Sequence, residues 1–222
     1  MKITASNQRN HGLTLLETVV VVFVLVVLAA VLLPALSQPK RRSHLGCTNN
    51  LKQIGLAFRI WEGDNNDKYP MSISVTNGGA MEAVAAGNAT SVFQVMSNEL
   101  STPRILVCPE DNDREVATNF AALTPKNVSY FVSLDAIEAN PQDIMGGDDN
   151  FEIGGLPVKS GLLKISTDTP IAWSATRHKL SGNLLLADGS VQGTVNSGIK
   201  NWFWPPNDLS RTNFSIQRLA IP

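Results

Sequence analysis

The chain of 222 residues has few cysteines, few histidines and almost no net charge. Its two cysteines exclude both a disulfide-rich mini-protein and a zinc site with four cysteine ligands. Eighteen basic residues balance 19 acidic ones, which excludes a protein that binds nucleic acid through overall charge, so we expect no nucleic-acid partner. The length allows one membrane segment and one globular domain, but not several domains.

A long apolar run lies near the amino terminus. Residues 13–33 include 18 hydrophobic residues among 21, and their one charge is Glu17. As a helix at about 1.5 Å per residue, the run would cover about 31 Å, the thickness of a bilayer core. We therefore expect a transmembrane helix at 13–33. The alternative is a cleaved secretory signal peptide, although such peptides have shorter apolar cores of about 7–15 residues.

The start of this run resembles the type IV prepilin signal, which type II secretion pseudopilins share. The residues that carry the resemblance are Arg9-Asn10-His11-Gly12 and Leu13-Thr14-Leu15-Leu16-Glu17. The resemblance implies that a prepilin peptidase cuts after Gly12 and methylates the new amine of Leu13, although the family usually has Phe at that position. It also implies a single-pass protein of the bacterial inner membrane, with a cytoplasmic N-terminus and an extracytoplasmic C-terminal domain.

Glu17 within the run and Pro34 directly after it are expected to act in assembly. A carboxylate in hydrocarbon needs a partner, and the resemblance implies that the Leu13 amine of a neighbouring subunit pairs with Glu17 and fixes the register between helices. The alternative is a Glu17 at the interfacial edge without a partner. Pro34 removes one helical hydrogen bond and can let the helix bend there.

A second helical pattern follows the prolines, over residues 43–61. Its apolar residues recur at intervals of four and three, which places them on one helix face. They are Cys47, Leu51, Ile54, Phe58 and Trp61. We expect this helix to dock on a small sheet.

Cys47 and Cys108 are the two thiols of the chain. In an extracytoplasmic domain they can oxidise to one disulfide. The closed loop of about 62 residues would add roughly 4 kcal/mol of stability in the chain-entropy model. Two separate buried thiols are the competing interpretation. The residues before the second cysteine, 105–108, read as a short strand.

The run from Asp143 to Glu152 combines carboxylates with glycine. Asp143, Asp148 and Asp149 form a weak candidate for calcium, which prefers oxygen ligands. The spacing matches no EF-hand pattern, and such a composition is ordinary for a solvated loop. We therefore expect a plain loop and no cofactor, with calcium as the weaker alternative.

His178 is followed by nine residues and then by Asp188-Gly189. Two strand-like runs on either side of Asp-Gly predict a hairpin with a type I′ turn. The spacing resembles the H-X9-DG motif of a C-terminal domain in bacterial prepilin-like proteins. A His–Asp pair can orient an imidazole for base catalysis, but no nucleophile in a recognisable context accompanies it. We therefore expect His178, Asp188 and Gly189 to be structural.

Three further segments resemble the same group of prepilin-like proteins. They are residues 47–57, 68–70 and 106–111. Residues 72–100 and 190–222 show little resemblance, and Ser190 stands where the group usually has an aromatic residue or His.

These observations predict an α+β fold, in which a long N-terminal helix, membrane-spanning in its first half, packs on a small antiparallel sheet. The expected parts are a leader (1–12), a transmembrane helix (13–33), its soluble continuation (34–62) and a globular domain (63–222). We expect a non-enzymatic pilin or pseudopilin subunit of a type II secretion or type IV pilus-like filament. Its expected partners are the prepilin peptidase, other subunits, membrane lipid and an inner-membrane assembly platform.

The alternative is a membrane-anchored, extracytoplasmic module that never polymerises. It would bind a glycan or a secreted partner, with Trp202 and Trp204 as contact residues. An anchored hydrolase that uses His178 is a third hypothesis.

Overall fold

The computed structural model describes residues 14–36, 39–205 and 216–222, with the side chains of all of these except 31–44. The chain divides after Arg42 into two compact units.

Helix α1 (Leu15–Leu36) begins with a capping box. Thr14 Oγ1 accepts a hydrogen bond from the Glu17 backbone N–H at 3.3 Å. In return, Glu17 Oε2 accepts from the Thr14 backbone N–H at 2.8 Å and from its hydroxyl at 3.0 Å. This reciprocal pair satisfies N–H groups that every helix start leaves open. Glu17 therefore has partners within its own chain.

The prediction of a long membrane-spanning helix is wrong. In the described ranges of the chain, no helix combines the length and the apolar character that a membrane crossing requires. The same finding corrects the predicted single-pass inner-membrane localisation.

Helix α2 (Pro39–Asp64) carries the predicted apolar stripe. Cys47, Leu51, Ile54, Phe58 and Trp61 are all buried, with at most 6% of each residue exposed. The prediction of one docking face at helical period is confirmed.

The remaining helices are short. They are α3 (Met81–Ala85), α4 (Thr90–Val95), α5 (Ser97–Leu100) and α6 (Asn196–Phe203). The described residues also form five 3₁₀ turns, at Pro70–Ser72, Val75–Asn77, Pro103–Leu106, Phe120–Ala122 and Pro125–Asn127. The predicted strand at 105–108 is wrong, because Thr102 caps a 3₁₀ turn with Pro103 at its first position.

The described strands form two antiparallel sheets instead of the predicted single small sheet. The larger has the order β5-β9-β1-β2-β7-β8, and the smaller has the order β4-β3-β6. The strands are β1 (Tyr130–Ser133), β2 (Ile144–Asp148), β3 (Phe151–Ile153), β4 (Leu156–Pro157), β5 (Gly161–Ser166), β6 (Ile171–Trp173), β7 (Ser181–Leu186), β8 (Val191–Val195) and β9 (Ile216–Ile221).

The larger sheet separates two apolar cores. Successive strand residues point to opposite faces, so Leu185 joins the core of α2 while Leu184 and Leu186 join the core of α6 and the smaller sheet. The result is a layered α+β domain with the sheet in the middle.

Candidate functional site

Cys47 on α2 and Cys108 form a disulfide bond. Both residues are fully buried, and their Cα atoms lie 5.0 Å apart. The Cys108 backbone N–H donates to Ser129 Oγ at 3.0 Å. The sequence left open a disulfide or two separate buried thiols, and the structure contains the disulfide. The bond links α2 to the segment after the Pro103–Leu106 turn.

The imidazole of His178 lies against this disulfide. Its Nε2 is 3.4 Å from Cys108 Sγ and 3.5 Å from Asp148 Oδ2, and its Nδ1 is 3.0 Å from Glu110 Oε2. Burial alone would lower the pKa of His178, but the hydrogen bond and charge of Asp148, with the charge of Glu110, raise it overall. The environment therefore favours an imidazolium held between two carboxylates.

The backbone at His178 is strained. His178, Lys179 and Leu180 all have positive φ, at 52°, 50° and 63°. This left-handed conformation costs a residue with a side chain roughly 1–2 kcal/mol. Such strain concentrates at functional sites and ligand clamps. The strained turn thus marks the surroundings of His178 as a candidate site.

A buried network of two arginines and two aspartates lies beside the histidine. Arg177 donates to Asp111 Oδ2 at 2.9 Å and also pairs with Asp149. Arg114 donates to Asp111 Oδ2 at 3.0 Å and to Asp149 Oδ2 at 2.5 Å. The four formal charges cancel, and the Ser129 hydroxyl donates to Asp111 Oδ2 at 2.8 Å. Each aspartate is therefore bound by both arginines, and Asp111 is also bound by the Ser129 hydroxyl.

Asp111 gives the domain a specific sensitivity to acid. Burial alone would raise the pKa of its carboxyl, but the Arg177 charge, the Ser129 hydroxyl and Arg114 lower it below 3.8 overall. A carboxyl with a depressed folded pKa contributes stability above its unfolded pKa, and this contribution is lost as pH falls through the folded value.

We therefore expect the stability difference between wild type and Asp111→Asn to shrink as the pH falls below about 3.8. Urea unfolding over a pH series measures this difference. Asp113→Asn, which removes an exposed carboxylate, is the matched control. A difference that stays constant from pH 6 to about pH 2 would contradict the linkage.

The predicted hairpin joins β7 to β8, with Leu185 opposite Val191. Gly189 has φ of 82° and donates its N–H to Leu186 O at 2.9 Å, whereas Asp188 is not in the positive-φ region. The turn is therefore not type I′ as predicted, which needs positive φ at both central residues. Asp188 Oδ1 accepts from the Ser190 N–H at 2.8 Å, which is the turn-forming role expected of it.

The hairpin tip packs closely on α2. A Cβ at Gly55 would lie 2.7 Å from Leu185 Cδ1 and 3.1 Å from Gly189 O. The Tyr69 hydroxyl donates to Ala187 O at 2.9 Å. The segments at 47–57, 68–70, 106–111 and 178–189, which are remote in sequence, therefore meet around α2 and the disulfide.

Gly55→Ala is expected to destabilise the protein by about 1 kcal/mol. Overpacking costs about 1–3 kcal/mol, which outweighs the gain of up to about 1 kcal/mol in helix propensity. Gly63→Ala in the same helix is the control, because a Cβ there meets nothing within 4 Å. Thermal unfolding should show a lower midpoint for Gly55→Ala and an unchanged or higher one for Gly63→Ala. Two equal shifts would contradict the close-approach argument.

The segment from Asp143 to Glu152 is not the solvated loop that its composition predicted. It contains β2 and β3, and residues 144–151 are buried. Gly147 permits this, since a Cβ there would lie 2.5 Å from Asn183 O. The Asp143 carboxylate accepts from the Ile137 N–H, Asp148 accepts from Asn183, and Asp149 pairs with the arginines. In these contacts, the carboxylates of the three calcium candidates therefore each have their own protein partners and do not share one.

Asp188 is not the carboxylate partner of His178. The six residues of β7 lie between the two, and His178 contacts Glu110 and Asp148 instead. The His–Asp pair considered from the sequence is therefore not formed by these two residues.

A cleft of about 540 Å³ opens beside the ion network. Its lining includes Arg114, Arg177, Asn150, Ser174 and Thr176. Asn150 Oδ1 is buried without a hydrogen-bond partner. The cleft thus combines charged, amide and hydroxyl groups around a space of ligand size.

The aromatic residues at 202–204 pack mainly inward. Phe203 is buried, with its ring centroid 6.3 Å from that of Phe151 and 5.7 Å from that of Trp204. Trp202 and Trp204 are half-buried against the core of α6.

The proposed cleavage residues Gly12 and Leu13 lie outside the described residues. Pro34 lies within α1, in the part whose side chains are not described. The ion network of Asp111, Arg114, Asp149 and Arg177 was not found by sequence reasoning. A signal for it was the aromatic residue Phe151 directly after Asp148-Asp149-Asn150.

Comparison with known proteins adds no relative to this α+β domain. No protein family, no curated protein and no solved structure matches the chain.

Proposed function

We propose that the chain is a structural subunit of a pilin-like filament, in which helix α1 packs against α1 of neighbouring copies. The observation that carries the proposal is the exposure of α1. Twelve large apolar side chains between Leu15 and Leu28 are 46–84% exposed within the chain itself. A helix that is apolar on every side is stable when buried.

A bundle of identical helices provides such burial. Full burial of one Val, Leu or Phe side chain contributes about 1.5–3 kcal/mol. Cover is needed around the whole circumference, because the exposed residues include the consecutive run Val19 to Leu28. Several neighbours in a filament supply this cover, whereas one partner covers a single face.

The resemblance to prepilins supports the same proposal. It adds cleavage after Gly12 by a prepilin peptidase, methylation of Leu13 and handling of the subunit by an assembly platform. Glu17 would then have two roles. It caps α1 through Thr14 in one chain, and its charge pairs with the Leu13 amine of a neighbour.

Two substitutions at Glu17 separate these roles. Gln at this position retains the capping box but removes the charge, whereas Ala removes both. Assembly of the full chain, expressed with a prepilin peptidase, is followed by cross-linking and electron microscopy. Loss of filaments in both Glu17→Gln and Glu17→Ala identifies the charge as the assembly element, and loss in Glu17→Ala alone identifies the cap.

The filament proposal itself is tested by the wild type and by Val22→Asp. Wild-type chains should cross-link into ladders through α1, and the buried charge in Val22→Asp should abolish them. Thr18→Ser, also on α1 but conservative, is the control. Wild-type chains that stay monomeric after cleavage at Gly12 would contradict the proposal.

The cleft favours a second function, a binding module for a glycan or another polyhydroxylated ligand. Asn150, Ser174 and Thr176 offer amide and hydroxyl groups of the kind that hydrogen-bond sugar hydroxyls. Screening of the full chain on a glycan array tests this function. A hit that Thr176→Trp abolishes would support it, and an array without hits would remove it.

A further inference from the structure

Three metal-ligating side chains meet at one point in the described part of the chain. The sulfurs of Cys47 and Cys108 and a ring nitrogen of His178 all lie within 4.8 Å of one another, and all three residues are buried. The disulfide engages both sulfurs in this state. We propose that reduction of the disulfide converts this cluster into a binding site for a transition-metal ion of the Zn²⁺ class.

The distances suit such an ion. With Zn–S near 2.3 Å and Zn–N near 2.0–2.1 Å, tetrahedral ligand atoms lie about 3.4–3.8 Å apart. The distance from His178 Nε2 to Cys108 Sγ is already 3.4 Å. The sulfurs must separate from bonding distance to reach this spacing, and each sits at the end of a short side chain that can rotate about its Cα–Cβ bond.

The surroundings of the imidazole also fit a metal ligand. Histidines that bind metals commonly donate their other ring N–H to a carboxylate. Glu110 Oε2 lies 3.0 Å from His178 Nδ1 and also accepts the His178 backbone N–H at 3.2 Å. Glu110 therefore orients the ring with Nε2 directed toward Cys108.

Asp148 lies beside the cluster and is our candidate for a fourth ligand, although its Oδ2 also accepts hydrogen bonds from Asn183. Its Oδ2 lies 3.5 Å from His178 Nε2, and its side chain is fully buried. Its Oδ1 is buried without a hydrogen-bond partner. A buried carboxylate oxygen without a partner is costly, so this carboxylate has an oxygen available for a ligand.

The chemistry balances with a dithiol as the reductant. The dithiol closes to its own disulfide and gives up two electrons and two protons, so that the bond between the sulfurs breaks and two thiols form. A bound Zn²⁺ then replaces both thiol protons and the proton on His178 Nε2, and these protons pass to solvent. The metal would thus tie together α2, the 108–111 segment and the strained turn, which the disulfide and its contacts join in the oxidised state.

The test is a cobalt and zinc titration of the full chain. The protein is reduced with a dithiol, freed of reductant without oxygen, and checked by thiol counting and circular dichroism. Co²⁺ should give a thiolate charge-transfer band at one equivalent, and Zn²⁺ should displace it and raise the thermal midpoint. The oxidised protein should give no band.

Variants assign the ligands. His178→Gln should weaken Co²⁺ binding by more than about 100-fold, and Glu110→Gln by about 10-fold, as expected for an outer partner of a ligand. Glu115→Gln, at an exposed carboxylate, is the matched control and should bind like wild type.

Two results would overturn the proposal. One is a reduced, folded protein that gives no thiolate band with Co²⁺. The other applies if reduction unfolds the chain. In that case, Zn²⁺ should refold the wild type but not His178→Gln. If Zn²⁺ does not refold the wild type, or if the wild type and His178→Gln bind it equally, the folded cluster is not a metal site.

Discussion

Replacement of Cys47 and Cys108 together by alanine is expected to lower the free energy of unfolding by about 4 kcal/mol. The bond closes a loop between residues 61 positions apart, and the chain-entropy model gives about 4 kcal/mol for such a loop. This is a large part of the roughly 5–15 kcal/mol that stabilises an ordinary domain. Urea unfolding near neutral pH, with a metal chelator present, measures the change.

Reduction of the wild type provides the matched control for this variant. A dithiol should destabilise wild type by a similar amount and leave the alanine pair unchanged, because the variant has no bond to break. Cys47→Ala measured under the same conditions isolates the loss of packing at the buried sulfur. A wild type whose midpoint is the same with and without dithiol, although its thiols are shown to be free, would contradict the cross-link argument.

The parts predicted correctly from the sequence are those that a local pattern determines. The stripe from Cys47 to Trp61 follows one helical period, and every member is buried. The hairpin at Asp188-Gly189 follows from two short apolar runs around a turn dipeptide. In both cases the residues that decide the structure lie within about 15 positions of one another.

The candidate site depends on contacts that no local pattern encodes. Arg177 meets Asp111 across 66 positions and Asp149 across 28. Glycines and aspartates at 146–149 are typical of a loop by composition, yet 146–148 form the end of β2 and Asp149 is buried directly after it. Gly147 allows close backbone approach, and arginines neutralise Asp149. Tertiary context therefore overrides composition at this segment.

The role expected of Glu17 missed a local signal in the sequence. Thr14 and Glu17 form a capping box, and α1 starts directly after Thr14, at Leu15. A carboxylate that looked like an unpartnered charge is thus part of a helix start. The pattern Thr-x-x-Glu was present in the sequence and could have shown this.

Arg177→Ala is expected to destabilise the domain by about 3–5 kcal/mol, the usual cost of removing one partner from a buried ion pair. The Arg177 side chain is only 9% exposed, and burial would lower its pKa, but Asp149 and Asp111 raise that pKa overall. Its removal leaves two buried aspartates with Arg114 as their cation. Arg177→Lys keeps the charge but lacks the two-pronged geometry, so it should recover only part of the loss.

Two further variants separate charge balance from packing. Arg218→Ala removes an arginine that is 49% exposed and pairs with Asp135, and it should cost less than about 1 kcal/mol. The double variant Arg177→Ala/Asp149→Asn restores the balance of charges, so its loss should be smaller than the sum of the two single losses. Urea unfolding at pH 7 compares all of them. Additive losses in the double variant would show that the two charges do not stabilise each other, and the network would then be a packing feature alone.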